Sequence, residues 1–257
     1  IIALFVLMSI APRLFTSYDP YAINTGERLL PPSFKNLLGT DEMGRDLYSR
    51  IVYGSSLTIS FSVAVVFIAL VIGTIIGGVS GYYGKFVDSV IMRSTDIFLA
   101  FPMFILAMVI VAALGRSLVN SMLALSLVWW AQYARLMRGQ VLVAKQELYI
   151  QAARATGTKG HVVLFRHILP NCFAPLLIKA TLDISMAILL LSGLSFIGLG
   201  AEPPTPEWGA IITSGRKYLI GYWWYPTFPG LTIFLLSIAF NFVGDSLSDL
   251  LDPRRTS

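Results

Sequence analysis

The sequence predicts an all-α fold, a polytopic membrane helix bundle with about six transmembrane helices. Three observations lead there. Hydrophobic residues make up 56% of the 257 residues and charged residues only 13%, where a soluble domain carries about a quarter charged. Mean hydropathy is +0.73. The apolar residues gather into long blocks, and a helix needs about 20 of them to cross the hydrocarbon core. None of the blocks has the period-two alternation of a membrane barrel strand. Helix also satisfies every backbone N–H and C=O within its own segment, as lipid requires.

The blocks follow in order. The first, 1–11, ends at Pro12 and Arg13 and opens inside its apolar run, so the first span is expected to be incomplete. The others are 55–81, 92–114, 117–137, 172–199 and 227–248. Pro102 removes a helix hydrogen bond and is expected to kink the third. Between the first two blocks, Asp19-Pro20, Asn24, Gly26 and Pro31-Pro32 mark an irregular connection. It runs into LGTDEMGRDLYSR, where Thr40 reads as a helix N-cap. Residues 1–54 are therefore taken as the first membrane helix with an extracytoplasmic segment, and 55–257 as the core. The segment 200–226 holds Trp208, Tyr218, Tyr222, Trp223, Trp224 and Tyr225. Such residues favour the headgroup level, so this loop is expected on the membrane surface; a stacking site for bases or sugars is the alternative. Residues 138–171 are too polar to span.

The net charge is +5 and the pI about 9.4. On a membrane chain, basic residues flank and orient the spans, so lipid rather than nucleic acid is the expected partner. Placing 138–171 and the C-terminus, with Arg254 and Arg255, in the cytoplasm puts eleven of the 19 Lys and Arg inside, the orientation the positive-inside rule favours. Cys172 is the lone cysteine, which excludes an intrachain disulfide and a multi-cysteine metal cluster. No metal site is expected at His161 and His167, which do not share a helix face. Asp183 lies inside the fifth apolar block. It is a candidate for lining a pathway or, with Lys179 one turn earlier, for a structural pair. Asp88, Arg93 and Asp96 read as interfacial ion-pair partners, and Gly73, Gly77 and Gly81 as two overlapping GxxxG packing patterns. No catalytic constellation is readable, and no G-x-x-x-x-G-K-[ST] cradle for phosphates exists: Gly84-Lys85 lacks Gly at 79 and is followed by Phe86.

The polar stretch 146–171, QELYIQAARATGTKGHVVLFRHILPN, reads as a short Ala-rich helix, a turn at Gly157, and a second helical segment ending near Pro170. Ala152, Ala153 and Ala155 give a surface of little bulk, suited to docking in a groove of another protein. An ordinary linker accounts for the same residues.

This stretch resembles the "EAA" loop of ABC importer permeases. Gln151-Ala152-Ala153, Gly157, and Ile168 followed by Leu169-Pro170 occupy the positions of that pattern. Gln151 stands where the pattern has Glu, which removes a salt bridge but not a hydrogen bond. LGTDEMGRDLYSRIVYG, LSFIGLGAEPPTPEWGAII and FNFVGDSLSDLLDPR extend the resemblance to the "C" permeases of dipeptide, oligopeptide and nickel systems. The resemblance implies a type I importer permease fold in the bacterial inner membrane. It implies that 144–170, with Gln151, Ala152, Ala153, Arg154, Gly157, Ile168, Leu169 and Pro170, is a cytoplasmic coupling loop. It further implies a homologous second permease, two ATPase subunits that hold ATP and Mg, and an extracytoplasmic substrate-binding protein. No cofactor is expected in this chain. A self-sufficient secondary transporter or channel is the rival class; it would act alone on an ion gradient.

Overall fold

The computed structural model describes residues 1–251, and all regular elements among them are helical. The helices are α1 Ile2–Ile10, α2 Leu47–Tyr83, α3 Lys85–Ala100, α4 Met103–Leu114, α5 Leu118–Ala144, α6 Leu148–Ala155, α7 Gly160–Val162, α8 Leu169–Asn171, α9 Phe173–Phe196, α10 Trp208–Gly215 and α11 Trp224–Leu251. A π turn, Val163–Ile168, joins α7 to α8. All six apolar blocks are helical. By length and composition α2, α9 and α11 can each cross a membrane, and α3 with α4 would make a fourth span if the bent pair is counted as one. Arg254 and Arg255 lie outside the described residues.

Two regions differ from the sequence reading. The segment around Pro102 is broken rather than kinked: α3 and α4 meet at 92°. Phe101 is extended, at φ −96° and ψ 143°, because the ring of a following proline excludes the helical region. Helix also begins at Lys85 rather than 92, after a turn in which Gly84 and Lys85 both have positive φ. The second difference is at α2, which starts at Leu47 and not near 55. Its cap is Asp46, not Thr40. Asp46 Oδ2 accepts from the Ser49 N–H at 2.8 Å and the Ser49 hydroxyl at 2.7 Å. Thr40 instead accepts from the Leu30 N–H and donates to the Glu27 carbonyl. At about 1.5 Å per residue, the 37 residues of α2 far exceed the thickness of a hydrocarbon core.

By contact the chain divides into two compact units. The first comprises 1–64, 108–124 and 184–242. Its core joins Leu47, Ile51, Ile188, Trp208, Tyr225 and Leu236. The aromatic segment therefore does not simply lie at a membrane surface. Trp208 and Tyr225 are fully buried, since each finds a polar partner within the protein. Trp208 Nε1 donates to the Ile51 carbonyl at 3.0 Å, and the Tyr225 hydroxyl bonds Glu42. Tyr222 and Trp223 remain exposed. In the same unit Asp41 is buried between two arginines, with Arg45 Nε and Arg50 Nη1 each 2.6 Å from its Oδ2. Arg50 also donates to the Pro204 carbonyl. Glu207 caps α10, accepting from the Gly209 and Ala210 N–H groups at 3.0 and 2.9 Å.

The second unit comprises 65–107, 125–183 and the described residues from Val243 on. In it α2 lies directly on α5 along the glycine stripe. A Cβ on Gly73 would fall 2.4 Å from Tyr133 Cβ, and one on Gly77 2.2 Å from the Ala134 carbonyl oxygen. The GxxxG pattern thus serves packing within this chain. Trp130, Ala131 and Ala134 form a small core with Ile76, Phe98 and Leu99 against them.

Candidate functional site

The polar loop of the second unit is built from α6, the turn at 156–159 and the helical stretch 160–171. Helix α6 stops where it does because of Gly157. Its φ is +78°, a value that L side chains disfavour. The Gly157 N–H donates to the Arg154 carbonyl at 3.0 Å and the Thr158 N–H to the Ala153 carbonyl at 3.2 Å. These two bonds are a Schellman motif, which satisfies the last carbonyls of the helix. At the other end of the loop, Pro170 has no N–H to give the Arg166 carbonyl. The wider π turn ends two residues before it.

The loop has an inner and an outer face. Ile150, Val163, Leu164 and Ile168 are fully buried. Leu169 packs on α2, where a Cβ on Gly78 would sit 2.8 Å from Leu169 Cδ2. Gln151, Ala152, Gly157 and Pro170 are exposed and Ala153 is half-buried. Leu148, at 81% exposure, and Phe165 add apolar surface to the outer side. The Gln151 amide folds back to the Gln146 carbonyl at 3.0 Å, so it braces the loop itself.

Residues that the motif does not contain tie this loop to α2. Lys145 Nζ donates to the Gly81 and Tyr82 carbonyls at 3.1 and 2.9 Å, capping the C-terminus of that helix. Burial, with the Arg154 charge nearby, lowers the Lys145 pKa, while Asp88 opposes the shift. The Arg154 guanidinium lies over the Tyr82 ring, 5.1 Å from its centroid. Arg138 holds both oxygens of Asp88 at 2.5 and 2.6 Å, and the Ser80 hydroxyl donates to the same carboxylate. Asp96 pairs with Arg135. The expected interfacial pairs therefore form between α3 and α5, and Arg93 is not the partner of either aspartate. The Lys145 and Tyr82 contacts had a weak sign in the sequence, a lysine directly after α5. Their meaning depends on where α2 ends.

The site residues divide accordingly. Arg154, Ile168 and Leu169 anchor the loop, whereas Gln151, Ala152, Gly157 and Pro170 lie on its exposed surface. Asp183 is elsewhere, in α9. Lys179 Nζ is 3.0 and 3.1 Å from its two oxygens and 3.0 Å from Gln132 Oε1, with the Tyr133 ring at 5.4 Å. Among the described residues no group of three or more His, Cys, Asp or Glu is placed to hold a metal ion.

The second unit thus presents a polar loop braced on a long apolar helix. The chain belongs to the family of inner membrane components of binding-protein-dependent transport systems, which matches residues 69–257. It is 47% identical over 254 residues to the probable D,D-dipeptide transport system permease protein DdpC of Escherichia coli K12, covering 99% of this chain and 85% of that one. It is 42% identical to the dipeptide transport system permease protein DppC of Alkalihalophilus pseudofirmus, over 100% of this chain and 84% of the relative. With the nickel transport system permease protein NikC of Escherichia coli K12 it shares 40% identity over 98% of this chain and 91% of the relative. The fold matches a chain of the MetNI methionine ABC transporter, solved in inward-facing conformations. The TM-score is 0.53 at 21% identity, over 76% of this chain and 94% of that one. The resemblance to ABC importer permeases drawn from residues 151–170 is borne out.

Proposed function

We propose that this chain forms half of the translocation pathway of an ATP-driven importer for dipeptides or oligopeptides. A homologous permease forms the other half. Two ATPase subunits, which hold ATP and Mg, dock on the 144–170 loop at the cytoplasmic side, and an extracytoplasmic binding protein delivers the solute. The C-terminus is cytoplasmic with the loop.

The observation that carries this reading is the two-sided loop. Its outer face exposes Ala152, Gly157 and Leu148, while Lys145, Arg154 and Leu169 fasten its inner side to α2. A push on the outer face therefore reaches a membrane-spanning helix directly. The peptide assignment is supported by the names of the dipeptide-system relatives. A nickel or metal-chelate importer is the second reading, supported by the NikC relative.

Ala152→Asp tests the docking role, because the side chain is exposed and its replacement disturbs no packing. The expected result is a chain that still assembles in the membrane, with uptake lost and ATP hydrolysis no longer stimulated by the loaded binding protein. Full transport by the assembled variant would overturn the role of this face. Identifying the ligand held by the cognate binding protein decides between peptide and nickel.

A further inference from the structure

Within the second unit, residues of α3, α5 and α9 form an open cleft of about 400 Å³ lined by Leu99, Gln132, Arg135, Leu136 and Lys179. Its polar groups are a guanidinium, an ammonium and an amide, with no carboxylate among the lining residues. The size falls within the range of small-molecule sites, about 300–1,000 Å³. Charged groups inside a membrane bundle are costly and persist at functional positions.

The charges here are arranged to leave donors free. Lys179 has three N–H donors. Asp183 and Gln132 occupy two of them, and the ammonium itself lies over the Tyr133 ring, 5.4 Å from its centroid, a weaker contact that a carboxylate can displace. The Lys179 side chain is 27% exposed and that of Asp183 12%, so the cation of this pair is the more open to an incoming group. Arg135 has five donors. Its partner Asp96 is 63% exposed, and Arg135 itself 55%. A pair so open to water is worth little and yields readily to a competing anion.

We propose that Arg135, Lys179 and Gln132 form a carboxylate station on the solute's route, where the terminal carboxylate of a small zwitterionic solute such as a dipeptide exchanges water for these donors. Leu99 and Leu136 supply an apolar wall for its side chains. The station rests on the transport reading above and deepens it. Its grip is adjustable, since Asp96 and Asp183 wait to reclaim the cations when the solute leaves.

The test uses the complete importer reconstituted in vesicles, with both permeases, the ATPases and saturating preloaded binding protein. Alanyl-alanine and alanyl-alaninamide are compared as solutes. The wild type is expected to move the free acid about ten-fold faster at saturation, the worth of a hydrogen bond to a charged group. Lys179→Gln and Arg135→Gln each bring that ratio toward one by slowing the acid alone, and Lys179→Arg restores it. A purely structural role slows both solutes alike. An unchanged ratio in the Gln variants would overturn the station and leave the transport reading standing. Arg135→Gln alters an exposed side chain, and Lys179→Gln combined with Asp183→Asn strands no charge, so assembly does not limit the test. Wild-type vesicles that take up a nickel chelate and neither peptide would overturn the peptide reading itself.

Discussion

The chain has two long polar segments, and they are stabilised in opposite ways. Residues 12–50 in the first unit end in a stretch, 41–50, that turns most of its charges inward. Asp41, Arg45, Asp46 and Arg50 are all buried, and each is bonded to a partner within the unit. Residues 144–171 in the second unit bury aliphatic side chains and leave polar and small residues, together with Leu148 and Phe165, outside. A buried ion network has strict geometry and tolerates little movement. A segment held by a few aliphatic contacts and helix-end caps can move with the helix to which it is fastened. The first segment is thus built as a rigid piece, the second as one able to move with its helix, as the proposed docking role requires.

The sharpest way to break the contrast is Asp41→Ala. It leaves two buried arginines without their shared carboxylate, and loss of one partner of a buried pair costs about 3–5 kcal/mol. Thermal unfolding in detergent should show a severely destabilised chain. Next comes Gly77→Val in the second unit. The added Cβ would lie 2.2 Å from the Ala134 carbonyl oxygen, backbone that cannot swing away, and overpacking of this kind costs about 1–3 kcal/mol. An unchanged melting temperature would mean that α2 and α5 do not pack through this stripe.

Glu207 has a smaller effect with a pH signature. Burial raises its carboxyl pKa, opposed by hydrogen bonds from Gly209, Ala210, Ser195 and Ser192. The folded chain therefore keeps this proton at a pH where the unfolded chain has lost it. The stability it contributes is complete below the unfolded carboxyl's value and declines as pH rises through the raised folded value. Glu207→Gln should flatten that decline in melting temperature against pH, and a parallel slope in the variant would show that Glu207 does not cause it. Glu207→Ala also removes the α10 cap, at about 1 kcal/mol. Ala152→Asp should leave the melting temperature where it is while abolishing uptake. That pairing of no stability change with full functional loss separates the second segment from the rigid piece.

The helical blocks were legible because a run of apolar residues has only one solvent that suits it and one backbone form that suits that solvent. The loop pattern at 151–170 was legible because its spacing is local: α6 ends at Gly157 through bonds from the Gly157 N–H to the residue three back and from the Thr158 N–H to the residue five back. The long-range partners of charged residues, in this loop and outside it, were not legible. Lys145 and Tyr82 are 63 residues apart, Arg138 and Asp88 are 50 apart, and Arg50 reaches Pro204 across 154 residues. Thr40 was taken for a cap because it precedes an apparent helix start. The choice between Thr40 and Asp46 depended on a turn in which Asp41 accepts from the Met43 and Arg45 N–H groups.

By itself, then, the sequence determined that this chain lives in lipid as helices, and that a polar loop with a turn at Gly157 lies between two of them. Both follow from properties that add up along neighbouring residues: transfer free energy, backbone satisfaction and turn chemistry. Only the tertiary structure decided that the glycine stripe faces α5, that Asp88 belongs to Arg138, and that Lys145 fastens the loop to α2. Those outcomes depend on distances between remote segments, and hydrogen bonds and ion pairs lose their strength within an ångström or two of misplacement.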